Sequence, residues 1–191
     1  MKILEVGGWR TPVINPDWEI IQADSVHRPE VDLCFKWGVD PIPCDDDSYD
    51  GFIAIHVLEH VEWWNCEDAM REVFRILKPG GFCEIHVPNA YLAIQKYLES
   101  SLFIDRAKCR NQWEQMNAVI VWGQRKSIGK RKRSEDAEQG HLAHWHKSIW
   151  TEQALRELFE RVGFVDIEKA DGRPPHTGRG AWHNLGLRGR K

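Results

Sequence analysis

Three groupings in the sequence bring together side chains that can do chemistry. The first is Glu5-Val6-Gly7-Gly8, a carboxylate just ahead of a glycine pair. Glycine carries no Cβ, so the backbone there can turn tightly and approach a ligand closely. The second is His56-Val57-Leu58-Glu59-His60, in which two imidazoles flank a carboxylate. Histidine titrates near neutrality, so His56 and His60 are candidate bases. His60 can equally order its loop through a hydrogen bond, and Glu59 reads as a structural acceptor rather than a base. The third is His141-Leu142-Ala143-His144-Trp145-His146. Three imidazoles can bind zinc, but their spacing is irregular and no acid or thiol stands close by in the chain. The run therefore reads as a loop leading into a helix, with His146 facing a substrate as a further candidate base and no metal expected. Trp63-Trp64 follows the second grouping, where the indoles either stack on a sugar or aromatic acceptor or pack against the next helix.

These groups need a scaffold that gathers them at one edge. Ile3, Leu4 and Val6 make an apolar run too short for a helix, which suits a strand buried on both faces. Between Trp9 and Asp17, Pro12 and Pro16 and the lack of a helical period predict a loop in place of a crossover helix. Trp18–Asp24 reads as a second strand ending in a carboxylate, Val31–Phe35 as a short third, and Tyr49–Val57 as a central parallel strand. The spacing of Ala69, Met70, Val73, Phe74 and Leu77 predicts a helix over Asn65–Leu77, capped by Asn65 and stopped by Lys78-Pro79-Gly80-Gly81. Phe82–Val87 is the fifth strand.

From Ala90 to Val121 the pattern is helical but less regular, with Leu92, Ile94, Leu98, Trp113, Met116 and Ile120 expected inside. Gln124–Gly140 has almost no apolar content and is predicted to be a mobile loop. Its basic run, Lys130 to Arg133, is followed at once by acids, so it neutralises itself and is not expected to bind nucleic acid. Thr151 caps a last helix bearing Leu155, Leu158, Phe159 and Val162, and Gly163 ends it. Phe164–Lys169 and Trp182–Leu187 complete the sheet as an antiparallel pair.

At 191 residues the chain is long enough for one domain with a real core. Its 26 Lys and Arg against 29 Asp and Glu leave a net charge of −3, without the basic signature of a nucleic-acid binder. The cysteines, Cys34, Cys44, Cys66, Cys83 and Cys109, are odd in number and form no C-x-x-C pair, which predicts free thiols in a reducing compartment. Met1 leads straight into the first strand, so no signal peptide is expected, and no apolar stretch approaches the ~18 residues of a membrane span. A soluble, cytoplasmic protein is expected; the oligomeric state stays open.

Taken together, Glu5-Val6-Gly7-Gly8, Asp24, Pro41-Ile42-Pro43 before Asp47-Ser48-Tyr49-Asp50, His56 to His60, Leu77-Lys78-Pro79-Gly80-Gly81 and Val87-Pro88-Asn89 resemble the small class I S-adenosylmethionine-dependent methyltransferases of the type 11 group. The likeness covers about residues 1–90 and resumes at His146–Thr151 and Arg161–Phe164. It implies an α/β fold, a Rossmann-like class I methyltransferase sheet of about seven strands with the last antiparallel. Residues 1–191 would form a single methyltransferase domain, with 90–150 a helical and loop insertion forming a substrate cap.

The resemblance also implies an enzyme that moves a methyl group from S-adenosylmethionine to a small-molecule or glycan acceptor and leaves S-adenosylhomocysteine. The alternatives are a non-catalytic relative acting through a partner and a nucleic-acid methyltransferase. Glu5, Gly7 and Gly8 match the family's first cofactor motif, Asp24 matches the acid that binds the ribose hydroxyls, and His56, Val57 and Leu58 match the segment lining the methionine end. Trp9 stands where the family has a further glycine, and its indole caps the cofactor or fills its place. Trp37 stands near the family's adenine-binding acid and is expected to stack on adenine. His56, His60 and His146 are the candidates for taking a proton from the acceptor.

Overall fold

Ile3 and Leu4 are fully buried and Val6 nearly so, as a strand covered on both faces requires. They lie in β1 (Lys2–Val6), near the middle of a seven-stranded sheet. The structure is a computed structural model that describes residues 1–8, 13, 15–100, 146–170 and 184–191. The other strands are β2 (Glu19–Asp24), β3 (Leu33–Cys34), β4 (Tyr49–Ile55), β5 (Leu77–Pro88), β6 (Val165–Lys169) and β7 (Asn184–Arg190). Their order is β3-β2-β1-β4-β5-β7-β6. The first five run parallel, and β7 runs antiparallel to both β5 and β6. The chain winds outward from β1 through β2 to β3, then returns to β4 on the other side of β1. This reversal places the carboxyl ends of β1 and β4 at the switch point where open α/β sheets bind ligands.

One face of the sheet carries helices α1 (Cys66–Ile76) and α3 (Glu152–Val162). Cys66, Ala69, Met70, Val73 and Ile76 form the buried stripe of α1, and Leu155, Leu158, Phe159 and Val162 that of α3. Thr151 caps α3 as expected, its side chain accepting from the Ala154 N–H at 3.2 Å, and Gly163 at φ +109° ends it in the left-handed region. Asn65 stands at the N-cap of α1 but makes no side-chain cap bond. The Lys78–Gly81 segment does end α1. Leu77 nevertheless already pairs with Tyr49, so β5 begins five residues earlier than Phe82, with an irregularity where the segment bulges out.

Helix α2 (Ala90–Leu98) is capped by Asn89, whose side chain accepts from the Leu92 N–H at 3.1 Å. Among the described residues its buried positions are Ala90 and Ala93, with Leu92 half-buried, while Ile94 and Leu98 are exposed rather than buried as expected. Trp113, Met116, Ile120 and the basic loop 124–140 lie outside the described residues. On the second face, Ile3, Val13, Ile53 and Phe82 make a smaller core. There β5 and β7 also bury a polar triplet. Glu84 bonds the fully buried His86 ring at 2.7 Å and accepts from the Arg188 guanidinium at 2.8 Å. No described helix is long and apolar enough to cross a membrane.

Candidate active site

The turn after β1 is shaped by close packing. Gly7 sits at φ +79°, where L side chains are strained, and a Cβ added to it would meet Val57 Cγ2 at 2.5 Å. A Cβ on Gly8 would meet the Glu5 carboxyl at 2.2 Å. Glu5 does not point out of the sheet edge; it is 1 % exposed and lies under the turn. Its carboxylate accepts from the Val13 N–H at 3.0 Å and from Gln22 Nε2 at 2.6 Å. Burial raises its pKa above the ordinary carboxylate value, and these two hydrogen bonds only partly offset the rise. Glu5 therefore ties Val13 and Gln22 to the end of β1. Gly7 N–H bonds the Ala23 carbonyl at 2.8 Å, which ties this turn to the end of β2. There Asp24 uses Oδ1 to accept from the Val26 N–H at 2.9 Å, an Asx turn in a half-buried position.

The turn after β4 is shaped by side chains. His56, the first residue past the strand, has φ +56°, a strained conformation for a residue with a Cβ. Its N–H bonds the His86 carbonyl at 2.9 Å, and its Nδ1 lies 3.1 Å from Glu59 Oε1. Leu58–His60 then forms a short 3-10 turn. Glu59 is 1 % exposed, and its Oε2 has no hydrogen-bond partner among the described residues. Burial pushes the Glu59 carboxyl up, but the surrounding His56, His60 and His146 outweigh it and hold the group below its ordinary value. Desolvation pulls His56 down, yet the hydrogen bond and charge of Glu59 leave it above the usual histidine value.

His146 reaches this cluster because the segment 146–150 is strapped to the same turn. The Lys147 and Ser148 N–H groups both bond the Glu59 carbonyl, at 2.7 and 3.2 Å. Ser148 Oγ donates to the Leu58 carbonyl at 3.1 Å and accepts from Trp150 Nε1 at 2.9 Å. The Trp150 carbonyl takes the Ala90 N–H at 2.9 Å. His146 Nε2 thereby stands 3.9 Å from Glu59 Oε1, and its ring meets that of His60 edge to face at 5.1 Å. A cluster of this kind can hold, orient and accept protons at one point of the sheet edge.

The expected site residues divide accordingly. Gly7 and Val57 meet at the switch point, and His56, His60 and His146 gather around Glu59. Leu58 is fully buried in the core, so it supports the turn from beneath. Trp37 corrects an expectation. It is 6 % exposed, its Nε1 donates to the Ala69 carbonyl at 3.0 Å and its ring packs on Phe52 at 5.2 Å, so it is a core residue and no platform for adenine. Trp9, His141 and His144 lie outside the described residues. Trp63 and Trp64 are 68 % and 60 % exposed and pair edge to face rather than packing on α1. Trp63 lines a hollow of about 450 Å³ that also reaches His146, Ile149 and Arg161. Sequence reasoning included Ser148 only within the matched segment His146–Thr151 and missed the strap its hydroxyl makes.

The family model described as a methyltransferase domain matches residues 10–169, most of the chain. The chain belongs to the class I S-adenosylmethionine-dependent methyltransferases. Among solved structures, a CurJ carbon methyltransferase matches with a TM-score of 0.55 at 14% identity, covering 100% of this chain and 48% of that one. A possible histamine N-methyltransferase from Thermotoga maritima matches at 0.54 and 14%, covering 100% and 82%. A Burkholderia thailandensis 1,6-didemethyltoxoflavin-N1-methyltransferase, solved with its substrate and S-adenosylhomocysteine, matches at 0.53 and 16%, covering 100% and 70%. The chain thus spans about half the length of the first of these proteins and most of the other two. At such identities the likeness establishes the methyltransferase fold. No curated protein matches the sequence. The sheet order with its antiparallel β7 is the methyltransferase arrangement the sequence led us to expect.

Proposed function

We propose that this methyltransferase domain, residues 1–191, transfers the methyl group of S-adenosylmethionine to a small-molecule acceptor bound over the end of β4. The observation that carries this reading is the Gly7–Val57 contact, which sets the bare turn of β1 directly against the histidine-bearing turn of β4. The residues at the β1 edge fit the cofactor. Gly7 and Gly8 let the chain turn tightly against Val57 and Glu5, so that main chain is presented where the methionine moiety would lie, and Asp24 can accept from ribose hydroxyls with the oxygen its Asx turn does not use. Glu5 acts from below by holding Val13 and Gln22. When bound, S-adenosylmethionine supplies an electrophilic methyl on a sulfonium, whose transfer needs alignment more than covalent help.

At the β4 edge, the imidazoles around Glu59 would orient the acceptor and take its proton, with Glu59 as the positioning residue. The insertion 90–150 is read as the acceptor side of the site, since its last residues are the strap carrying His146. Trp63, beside the 450 Å³ hollow, offers a face for an aromatic or sugar acceptor. The named acceptors of the Thermotoga and Burkholderia relatives, both small nitrogen bases, support the small-molecule class. Cys34, Cys44, Cys66 and Cys83 are free, which suits a reducing cytoplasm.

The test is transfer from S-adenosylmethionine carrying a labelled methyl, with small-molecule, glycan and nucleic-acid fractions offered separately. Label in the small-molecule fraction is expected, falling sharply in Gly7→Val. Label confined to nucleic acid would overturn the acceptor class.

A further inference from the structure

We propose that Glu59, His60 and His146 form a site for one divalent first-row transition ion of the zinc type. One ligand atom from each residue lies within 4.8 Å of the others. Donors bound to one ion at about 2.0–2.1 Å stand roughly 3–4 Å apart, so small side-chain rotations close the site. Two further observations point to a cation. Glu59 is almost wholly buried, yet its Oε2 accepts no hydrogen bond among the described residues, a costly state that a metal bond would relieve. A cavity of about 10 Å³ also adjoins the cluster, lined by Glu59 and His146 with Pro88, Ser148 and Trp150. That is room for about one water-sized occupant.

The donor chemistry narrows the ion. Two imidazoles and one carboxylate suit zinc and its neighbours, whereas magnesium and calcium prefer oxygen donors throughout. Three protein ligands leave a position open, the pattern of catalytic rather than structural sites. Outer contacts hold the ligands in place. The Lys147 and Ser148 N–H groups fix the backbone of His146 on the Glu59 carbonyl, and His56 Nδ1 faces Glu59 Oε1. With the ion bound, His60 and His146 act as ligands and His56 remains as the nearby base. An acceptor heteroatom in the open position would give up its proton more readily. That consequence rests on the methyl-transfer reading, whereas binding of the ion does not.

The test uses the full chain, freed of metal by a chelator. Zn²⁺ is titrated by calorimetry and Co²⁺ by visible absorption, and S-adenosylhomocysteine is titrated into the same samples. One Zn²⁺ per chain is expected, with thermal stabilisation on binding. Glu59→Gln and His146→Ala should each weaken uptake by at least about 100-fold, and His27→Ala, at an exposed histidine, should leave it unchanged. Should His146→Ala fail to fold, Glu59→Gln with His60→Asn carries the test. A wild type that binds S-adenosylhomocysteine but no Zn²⁺, or Zn²⁺ uptake undiminished in Glu59→Gln, overturns the metal site alone. A wild type that binds neither overturns the reading of the whole edge.

Discussion

The turns after β1 and β4 begin alike and then diverge. In each, the first residue past the strand is left-handed, Gly7 at φ +79° and His56 at φ +56°. At β1 a glycine takes that conformation without steric cost, because the position must stay bare. At β4 a histidine takes it at a strain of about 1–3 kcal/mol, because the position must carry a ring. The His86 carbonyl holds the residue by accepting from the His56 backbone N–H, and Glu59 Oε1 holds the ring by facing its Nδ1. The difference teaches how one sheet edge divides its work. In the proposed function, the β1 side is the one that would offer backbone to the cofactor, and the β4 side the one that would offer side chains to the acceptor.

The sharpest way to break this division is Gly7→Val. It forces a β-branched residue into the left-handed region and into Val57, so fold and cofactor binding should suffer together. Strain and overpacking sum to about 2–5 kcal/mol. Denaturant melts should show the loss, and Gly7→Ala should be partly rescued by Val57→Ala if the two turns truly press on each other. Additive effects in that pair would contradict the contact.

Comparable in size is Asp24→Ala, which should weaken S-adenosylhomocysteine binding by about 3–6 kcal/mol through two charge-assisted hydrogen bonds. Asp24→Asn keeps an acceptor for the Val26 N–H and should fall between. Equal affinity in all three proteins would mean that the carboxylate serves only the Asx turn.

Ser148→Ala probes the β4 side. It leaves the Trp150 indole N–H without the Ser148 hydroxyl, at about 1–3 kcal/mol of stability, and, by removing the bond to the Leu58 carbonyl, it loosens the strap that carries His146. Methyl transfer should drop while S-adenosylhomocysteine affinity holds. Equal losses in both would show that the two turns are not separable.

The smallest expected effect lies away from both turns. The buried Glu84 is pushed up by desolvation, but His86 and Arg188 outweigh this and hold its pKa below the ordinary carboxylate value. Its contribution is therefore complete above the unfolded value, about 4.3, and is lost as pH falls through the lower folded value. Acid melts of Glu84→Gln should lack that part of the acid limb. A limb identical to wild type would remove the triplet from the account.

Much of the β1 side was legible because its signals are local. Gly7 and Gly8 declare a bare turn in adjacent letters, and Ile3, Leu4 and Val6 declare the strand before it. Thr151 and Gly163 bound α3 for the same reason. What escaped depends on distance. Trp37 looked like a platform because nothing near it shows the Ala69 carbonyl that captures its indole N–H. The histidine run ending at His146 has no acid beside it in the chain, so its nearness to Glu59, which the fold brings to it, was not legible. Asn65 has the right residue type for a cap without making the bond, whereas Asn89, singled out only within the matched segment Val87-Pro88-Asn89, makes one. Ile94 and Leu98 were expected inside from the helical pattern after Ala90, but the fully buried positions of α2 are Ala90 and Ala93.

The central claim is that the bare turn of β1 takes S-adenosylmethionine independently of the charged cluster at β4. Calorimetric titration of S-adenosylhomocysteine into the full chain tests it most directly, in wild type beside Glu59→Gln. The account predicts one-to-one binding of similar strength in both proteins. No heat from the wild type, or binding that disappears with Glu59→Gln while the protein stays folded, would contradict it.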